Sequence, residues 1–139
     1  MMKYMYNSHV GKLPQCPPAN AQPAEVTAWR WTFNPFTDKC FSPIAILEPK
    51  RLLTIRDGQK CSCWALSMFE SQMAAIKRMQ QIELSIPNFK KNKGDHVSKV
   101  IITKVDGVAT SPDNRGHFDF HPYKNFNAMV NAKVVGPIP

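Results

Sequence analysis

Alternation of apolar and polar positions predicts β-strands along much of the chain. Residues 28–33 alternate large apolar side chains with polar ones, which is typical of a strand with one buried face. Residues 97–105 are rich in β-branched side chains, and residues 116–121 alternate again. Shorter runs predict further strands at 40–47, 61–65, 108–110 and 128–135, the last of which also fits a short helix followed by a strand.

Apolar residues recur at helical spacing in the middle of the chain. They lie three or four positions apart: Phe69, Met73, Ile76, Met79 and Ile82. This spacing predicts one main helix from about 69 to 83, which Pro87 closes off. Ser67 and Glu70 fit a capping box at its start, and Ser71 is a rival cap.

Turn signals between the predicted strands decide the fold class. Asp106-Gly107 predicts a hairpin between the strands at 97–105 and 108–110. One helix cannot cover the crossover connections of a parallel sheet. We therefore predict an α+β fold, in which a mostly antiparallel sheet of five to seven strands carries one main helix.

Proline is unusually frequent, with 12 residues in a chain of 139. Several of them fall in residues 14–23, which cannot form a helix or a central strand because proline fixes φ and lacks an N–H. We predict an extended proline-rich segment over 1–24 and a single α+β domain over 25–139. A chain of this length is typical of one domain.

Four cysteines are too few for a disulfide scaffold, and we expect all four to be reduced thiols. No apolar run follows the N-terminus, and no stretch is long enough for a membrane span. These features predict a cytoplasmic protein with no membrane partner.

The net charge of +8 is concentrated in two clusters. We call them the first basic cluster (Lys50, Arg51, Arg56 and Lys60) and the second basic cluster (Lys77, Arg78, Lys90, Lys91 and Lys93). Clustered cations beside aromatic side chains can hold a phosphate backbone and stack on bases. Phe89, Tyr123 and Phe126 are the candidate stacking residues. An acidic protein partner, a merely solvated basic surface, and a partner docked on residues 1–24 are the alternatives.

Three ionisable residues alternate along the predicted strand at 116–121. His117, Asp119 and His121 share one face, where a histidine could act as a general base with Asp119 orienting it. The polar face of a half-exposed strand is the alternative. All three cannot bind one metal ion in a straight strand, because the outer two lie about 13 Å apart. A metal would need help from His96 or from Cys61 and Cys63. We expect no metal and no cofactor.

Cys63 is a further candidate nucleophile, with His117 as its base. Cationic neighbours at Arg56 and Lys60 would lower the pKa of its thiol if they were close in space. The alternative is a buried strand cysteine, since cysteine is among the most buried residue types.

The order Trp29-Arg30-Trp31, then an apolar run that ends in Ser67, then a helix, resembles small ADP-ribosyltransferase-like domains. The resemblance covers about a third of the chain. It implies that Arg30 grips a nicotinamide dinucleotide and that Ser67 shapes the pocket. The family's late catalytic glutamate has no counterpart, since no glutamate follows Glu83. Asp119 would have to replace it.

The sequence thus favours a small basic accessory protein that binds nucleic acid or an acidic protein partner through the two basic clusters. The alternative is an ADP-ribosyltransferase-like or other nucleotide-pocket enzyme or toxin. That enzyme would use Arg30, Ser67 and the face formed by His117, Asp119 and His121. Whether the chain is an enzyme stays open at this point.

Overall fold

A computed structural model describes residues 3–139 and contains one seven-stranded sheet. The strands are β1 (Gln22–Pro23), β2 (Val26–Thr32), β3 (Leu66–Phe69), β4 (His96–Ile102), β5 (Gly107–Ala109), β6 (His117–Pro122) and β7 (Ala132–Pro137). Their order is β1-β5-β6-β3-β2-β4-β7, and every neighbouring pair is antiparallel. The predicted α+β class with a mostly antiparallel sheet is confirmed.

Six α-helices surround the sheet within residues 3–139. They are α1 (Asn7–Val10), α2 (Ile44–Leu47), α3 (Asp57–Cys63), α4 (Gln72–Glu83), α5 (Phe89–Lys93) and α6 (Ala128–Asn131). Two 3₁₀-helices, Asp38–Phe41 and Pro49–Leu53, flank α2. The longest helix is α4, with 12 residues. In this part of the chain, no helix has the length and apolar character needed to cross a membrane.

The sheet buries apolar side chains on both faces. One face holds a cluster that includes Ala28, Leu66, Met68, Val100, Phe118 and Phe120. The opposite face packs against α4 through Phe69, Ala75, Met79 and Val97. Trp31 strengthens this second contact, because its indole N–H donates to the carbonyl of Ala75 at 2.8 Å. Both clusters follow from the strand alternation, since successive side chains point to opposite faces.

The main helix begins three residues later than predicted. Phe69 belongs to β3, and α4 starts at Gln72, where the Ser71 hydroxyl accepts a hydrogen bond from the backbone N–H of Ala74 at 3.0 Å. Ser71 is therefore the N-cap of α4, because a cap must lie immediately before the first helical residue. Ser67 lies within a strand and caps nothing.

Two predicted strands are wrong. Residues 40–47 form helical turns, because Pro43 lacks the N–H that a sheet ladder needs and precedes the first residue of α2. Residues 61–65 contain the end of α3 and a turn. Asp57 in the first turn of α3 interacts favourably with the helix dipole, and the Arg56 N–H donates to the side chain of Gln59.

The predicted hairpin at Asp106-Gly107 is also wrong, since β5 pairs with β1 and β6 rather than with β4. The Asp106 carboxylate accepts hydrogen bonds from the N–H and hydroxyl of Thr103 and closes a separate turn. Gly107 is required here, because a Cβ at this position would lie 2.3 Å from the carbonyl oxygen of His121. The stretch 128–135 is a short helix followed by a strand, which is the second of the two structures predicted for it.

The N-terminal segment is attached to the domain at several points. Tyr4 forms a β-bridge with Tyr123, and β1 pairs with β5. Cys16 forms a disulfide with Cys61 of α3, so the expectation of four reduced thiols is wrong, while Cys40 and Cys63 are free. Sequence gives no sign of this pair because the two cysteines are 45 residues apart. Closing such a loop stabilises a fold by about 4 kcal/mol in the chain-entropy estimate.

Candidate functional site

A serine and a histidine meet on the face of the sheet that carries α4. Ser67 of β3 lies opposite Asp119 of β6, and Phe69 lies opposite His117. Ser67 and His117 are therefore diagonal neighbours on one face. The Ser67 Oγ lies 2.6 Å from the His117 Nε2, and the histidine side chain is 30% exposed. A serine hydroxyl on an accessible imidazole is the arrangement that general-base activation of a hydroxyl needs.

Two carboxylates flank this histidine. Asp119 Oδ1 lies 3.9 Å from Nε2, and Asp113 Oδ2 lies 3.9 Å from Nδ1, so both are in ion-pair range but beyond a hydrogen bond. Asp113 Oδ1 accepts from the backbone N–H groups of Arg115 and His117 and so fixes the loop before β6. The histidine thus has one carboxylate beside each of its ring nitrogens.

Asp119 and Cys63 are both partly buried, and the charge of Asp119 acts on the Cys63 thiol. Burial raises the pKa of the Asp119 carboxyl, and a hydrogen bond with Ser62 and the charge of His117 oppose that rise. Burial likewise raises the pKa of the Cys63 thiol, against the lowering effect of Arg51. A raised pKa keeps the thiol protonated at neutral pH, so Cys63 lacks the thiolate that a nucleophilic cysteine uses.

Arg30 lies on the opposite face of the sheet from the Ser67 side chain. Trp29 pairs with Phe69, so the residue after Trp29 points to the other face. The Arg30 guanidinium donates to the carbonyls of Cys40 at 2.9 Å, Ser67 at 2.8 Å and Ser42 at 3.4 Å. Burial lowers its pKa to about 10, so it stays charged at neutral pH. Its donors are used within the protein, where they join β2, β3 and the 38–42 turn.

His121 lies away from the serine and histidine pair, although it is on the same face of β6. Two positions along a strand span nearly 7 Å, so His121 lies about 13 Å from His117. It is 2% exposed, and one of its ring nitrogens lies within 4.8 Å of the sulfurs of Cys16 and Cys61. The structure therefore brings together Ser67, His117 and Asp119, while Arg30 and His121 lie elsewhere.

Two residues of each basic cluster line a hollow on the surface. Lys77 and Arg78 of α4 face Arg115 across a hollow of about 320 Å³ that also contacts Gly116, the residue before His117. Lys50 and Arg51 line a second, shallow hollow with Leu47, Glu48 and Pro49. Lys93 forms an ion pair with Glu48, so α5 of the second cluster contacts the chain two residues before Lys50.

The three candidate stacking residues differ in accessibility. Phe126 is 6% exposed and packs on Phe120, so it cannot stack on a base. Phe89 is half-buried against Trp31, and Tyr123 is half-buried against Tyr4.

Sequence reasoning missed Ser62, Asp113 and Arg115 as members of this polar region. Of these three, only Asp113 and Arg115 lie in a recognisable sequence pattern, the turn-rich stretch 111–116 just before β6. Comparisons of the chain with protein-family models, with curated proteins and with solved structures find no match.

Proposed function

We propose that this chain is a small accessory protein that binds nucleic acid through its two basic clusters. The observation that carries the proposal is the ion pair between Lys93 and Glu48, which brings Lys93 of the second cluster close to the segment where the first cluster begins. Among the nine cluster cations, only Lys60 and Lys93 have an ion-pair partner within residues 3–139. The other seven have no carboxylate partner there, and of these the Lys90 ammonium donates to the carbonyl of Ile138 at 3.3 Å.

The polar region around Ser67 and His117 supports the continuity of this surface. Arg51 of the first cluster acts electrostatically on Cys63, and Asp119 acts on the same thiol. Asp119 lies beside His117, and the adjoining Gly116 contacts the hollow of Lys77 and Arg78. The hollow of Lys77 and Arg78 thus adjoins the start of the strand that carries His117. Cations spread over a surface suit a chain of phosphates better than a compact acidic patch.

The test is equilibrium binding of fluorescein-labelled 20-nucleotide single strands and duplexes, measured by anisotropy at low salt. Charge reversal at Lys50 and Arg51, or at Lys77 and Arg78, should weaken binding at least 10-fold. Reversal at the exposed Lys104 and Lys133, which lie outside the clusters, is the matched control and should change affinity less than 3-fold.

Two results would overturn the proposal. One is equal weakening by the control, which would mean that only net charge matters. The other is an absence of nucleic-acid binding together with cluster-dependent binding of a poly-glutamate peptide, which would assign the surface to an acidic protein partner.

A second candidate function is chemistry on a bound nucleotide, in which His117 activates the Ser67 hydroxyl or a water. The 2.6 Å contact between Oγ and Nε2 favours it. In this candidate the imidazole takes the proton of the hydroxyl, and Asp113 and Asp119 stabilise the imidazolium. Arg30 has no part in it, because its guanidinium donates to three carbonyls on the other face.

The test of this second function is mass spectrometry of the protein incubated with a nicotinamide dinucleotide, nucleoside triphosphates or the 20-nucleotide strand. A product that disappears in both Ser67→Ala and His117→Ala, but persists in the exposed control Ser111→Ala, would support it. Failure to form any product, or a product that persists in Ser67→Ala and His117→Ala, would remove it and leave the binding proposal intact.

We also propose that the chain acts in the cytoplasm, where cellular nucleic acid is available. Disulfides in that compartment are usually transient or redox-sensing. The Cys16–Cys61 bond would therefore alternate between oxidised and reduced forms in the cell.

A further inference from the structure

His121 is a buried histidine without a hydrogen-bond partner. Its side chain is 2% exposed, and neither ring nitrogen has a partner within residues 3–139. Buried polar atoms nearly always have a partner, and leaving one without costs about 1–3 kcal/mol. Burial also lowers the pKa of His121 to about 4, so the ring is neutral at physiological pH and offers a free lone pair.

Two sulfur atoms lie beside this ring. A ring nitrogen of His121 and the sulfurs of Cys16 and Cys61 all lie within 4.8 Å of one another. The three residues come from separate parts of the chain, namely the proline-rich segment, α3 and β6. Two sulfurs and one imidazole are donors that zinc prefers. The cysteines are joined in a disulfide here, so neither sulfur can bind a metal in this form.

We propose that reduction of the Cys16–Cys61 disulfide opens a zinc site formed by Cys16, Cys61 and His121. A dithiol reductant donates two electrons and two protons, the S–S bond breaks, and the reductant becomes a disulfide. Zn²⁺ then displaces both thiol protons to solvent and binds two thiolates and the neutral imidazole. Three protein ligands leave the fourth tetrahedral position to water.

The geometry requires only small side-chain movements. Ligands of a tetrahedral zinc at about 2.3 Å from sulfur and 2.0–2.1 Å from nitrogen lie roughly 3.5–3.8 Å apart. Reduced sulfurs in van der Waals contact have a similar separation. All three donor atoms already lie within 4.8 Å of one another, which is close to the separation that zinc requires. Cys16 is half-buried and gives the ion a route from solvent. The segment around Cys16 would then stay attached to α3 in both redox forms, by the disulfide in one and by zinc in the other.

Metal titration of the full chain tests the proposal. The protein is reduced with a phosphine, which does not compete for the metal as a thiol would, and is titrated with Co²⁺ and then Zn²⁺ against a chromophoric chelator. We expect one equivalent of Co²⁺ to give a thiolate-to-metal charge-transfer band that Zn²⁺ removes. The oxidised protein should give no band.

Variants identify the ligands. His121→Leu keeps the disulfide intact when oxidised, so its folding can be checked in that form, and it should weaken metal binding at least 10-fold on reduction. Cys63→Ser is the matched control and should bind as the unmodified chain does. Zn²⁺ should also raise the Tm of the reduced protein only. The proposal fails if the reduced protein gives no charge-transfer band, or if His121→Leu binds normally while Cys63→Ser does not.

Discussion

Lys93 of α5 forms an ion pair with Glu48, which lies 45 residues earlier in the chain and two residues before Lys50. This contact brings Lys93 of the second basic cluster close to the beginning of the first, although the two clusters are separate in sequence. Glu48 is also the one acid in the hollow that Lys50 and Arg51 line. It therefore opposes phosphate binding there.

Glu48→Gln should strengthen nucleic-acid binding. The change removes one negative charge and frees Lys93, so we expect an affinity gain of about 3-fold to 10-fold at low salt. The ion pair is partly exposed, and its loss should change the free energy of unfolding by less than about 1 kcal/mol. Anisotropy and urea denaturation measure the two effects. An unchanged or weaker affinity would contradict the role of this surface.

Arg30→Met should destabilise the fold by about 3 kcal/mol. The variant leaves the carbonyls of Cys40, Ser42 and Ser67 without their donor in a partly buried place. Urea denaturation measures the loss, and Arg115→Met at an exposed position is the control, with an expected change within about 0.5 kcal/mol. Normal stability of Arg30→Met together with lost ligand binding would instead make Arg30 a binding residue.

His121 should make the protein sensitive to mild acid. Its folded-state pKa of about 4 lies below the ordinary 6.5, so the unfolded chain binds the proton more readily. The stability from neutral His121 is complete above pH 6.5 and is lost as the pH falls toward 4, by about 3 kcal/mol in all. Urea denaturation between pH 7 and pH 4 should show a shallower decline in His121→Leu. Parallel declines in the two proteins would contradict this account.

Asp119 should have the opposite pH dependence. Burial raises its folded-state pKa, so its contribution to stability is complete below the ordinary carboxyl pKa and is lost as the pH rises through the raised value. Asp119→Asn cannot ionise, and its stability relative to the unmodified chain should therefore increase between pH 3 and pH 7. Denaturation at the two pH values measures this. A relative decrease would mean that the ionised carboxylate is stabilised in the fold.

Local patterns predicted most of the sheet. Alternation at 28–33 and 116–121 and the β-branched run at 97–105 correspond to β2, β6 and β4, because side-chain period is a local property. The predictions failed where one local pattern is compatible with two different structures. The run at 61–65 was predicted as a strand but contains the end of α3, and Asp106-Gly107 closes a turn whose strands pair with other neighbours.

The sites required long-range information. Ser67 and His117 are 50 residues apart, and only the register of β3 with β6 brings their side chains together. Cys16, Cys61 and His121 likewise meet because three segments fold onto one another. No spacing in the sequence contains that information.

The salt dependence of nucleic-acid binding tests the central claim most directly. If the joined basic surface contacts phosphates, a plot of log affinity against log salt for a single strand should be steep. Replacing Lys50 and Arg51 by Gln, or Lys77 and Arg78 by Gln, should each reduce the slope by about 1.4, and both changes together by about 2.8. A shallow slope, or a slope that neither replacement changes, would contradict the proposal.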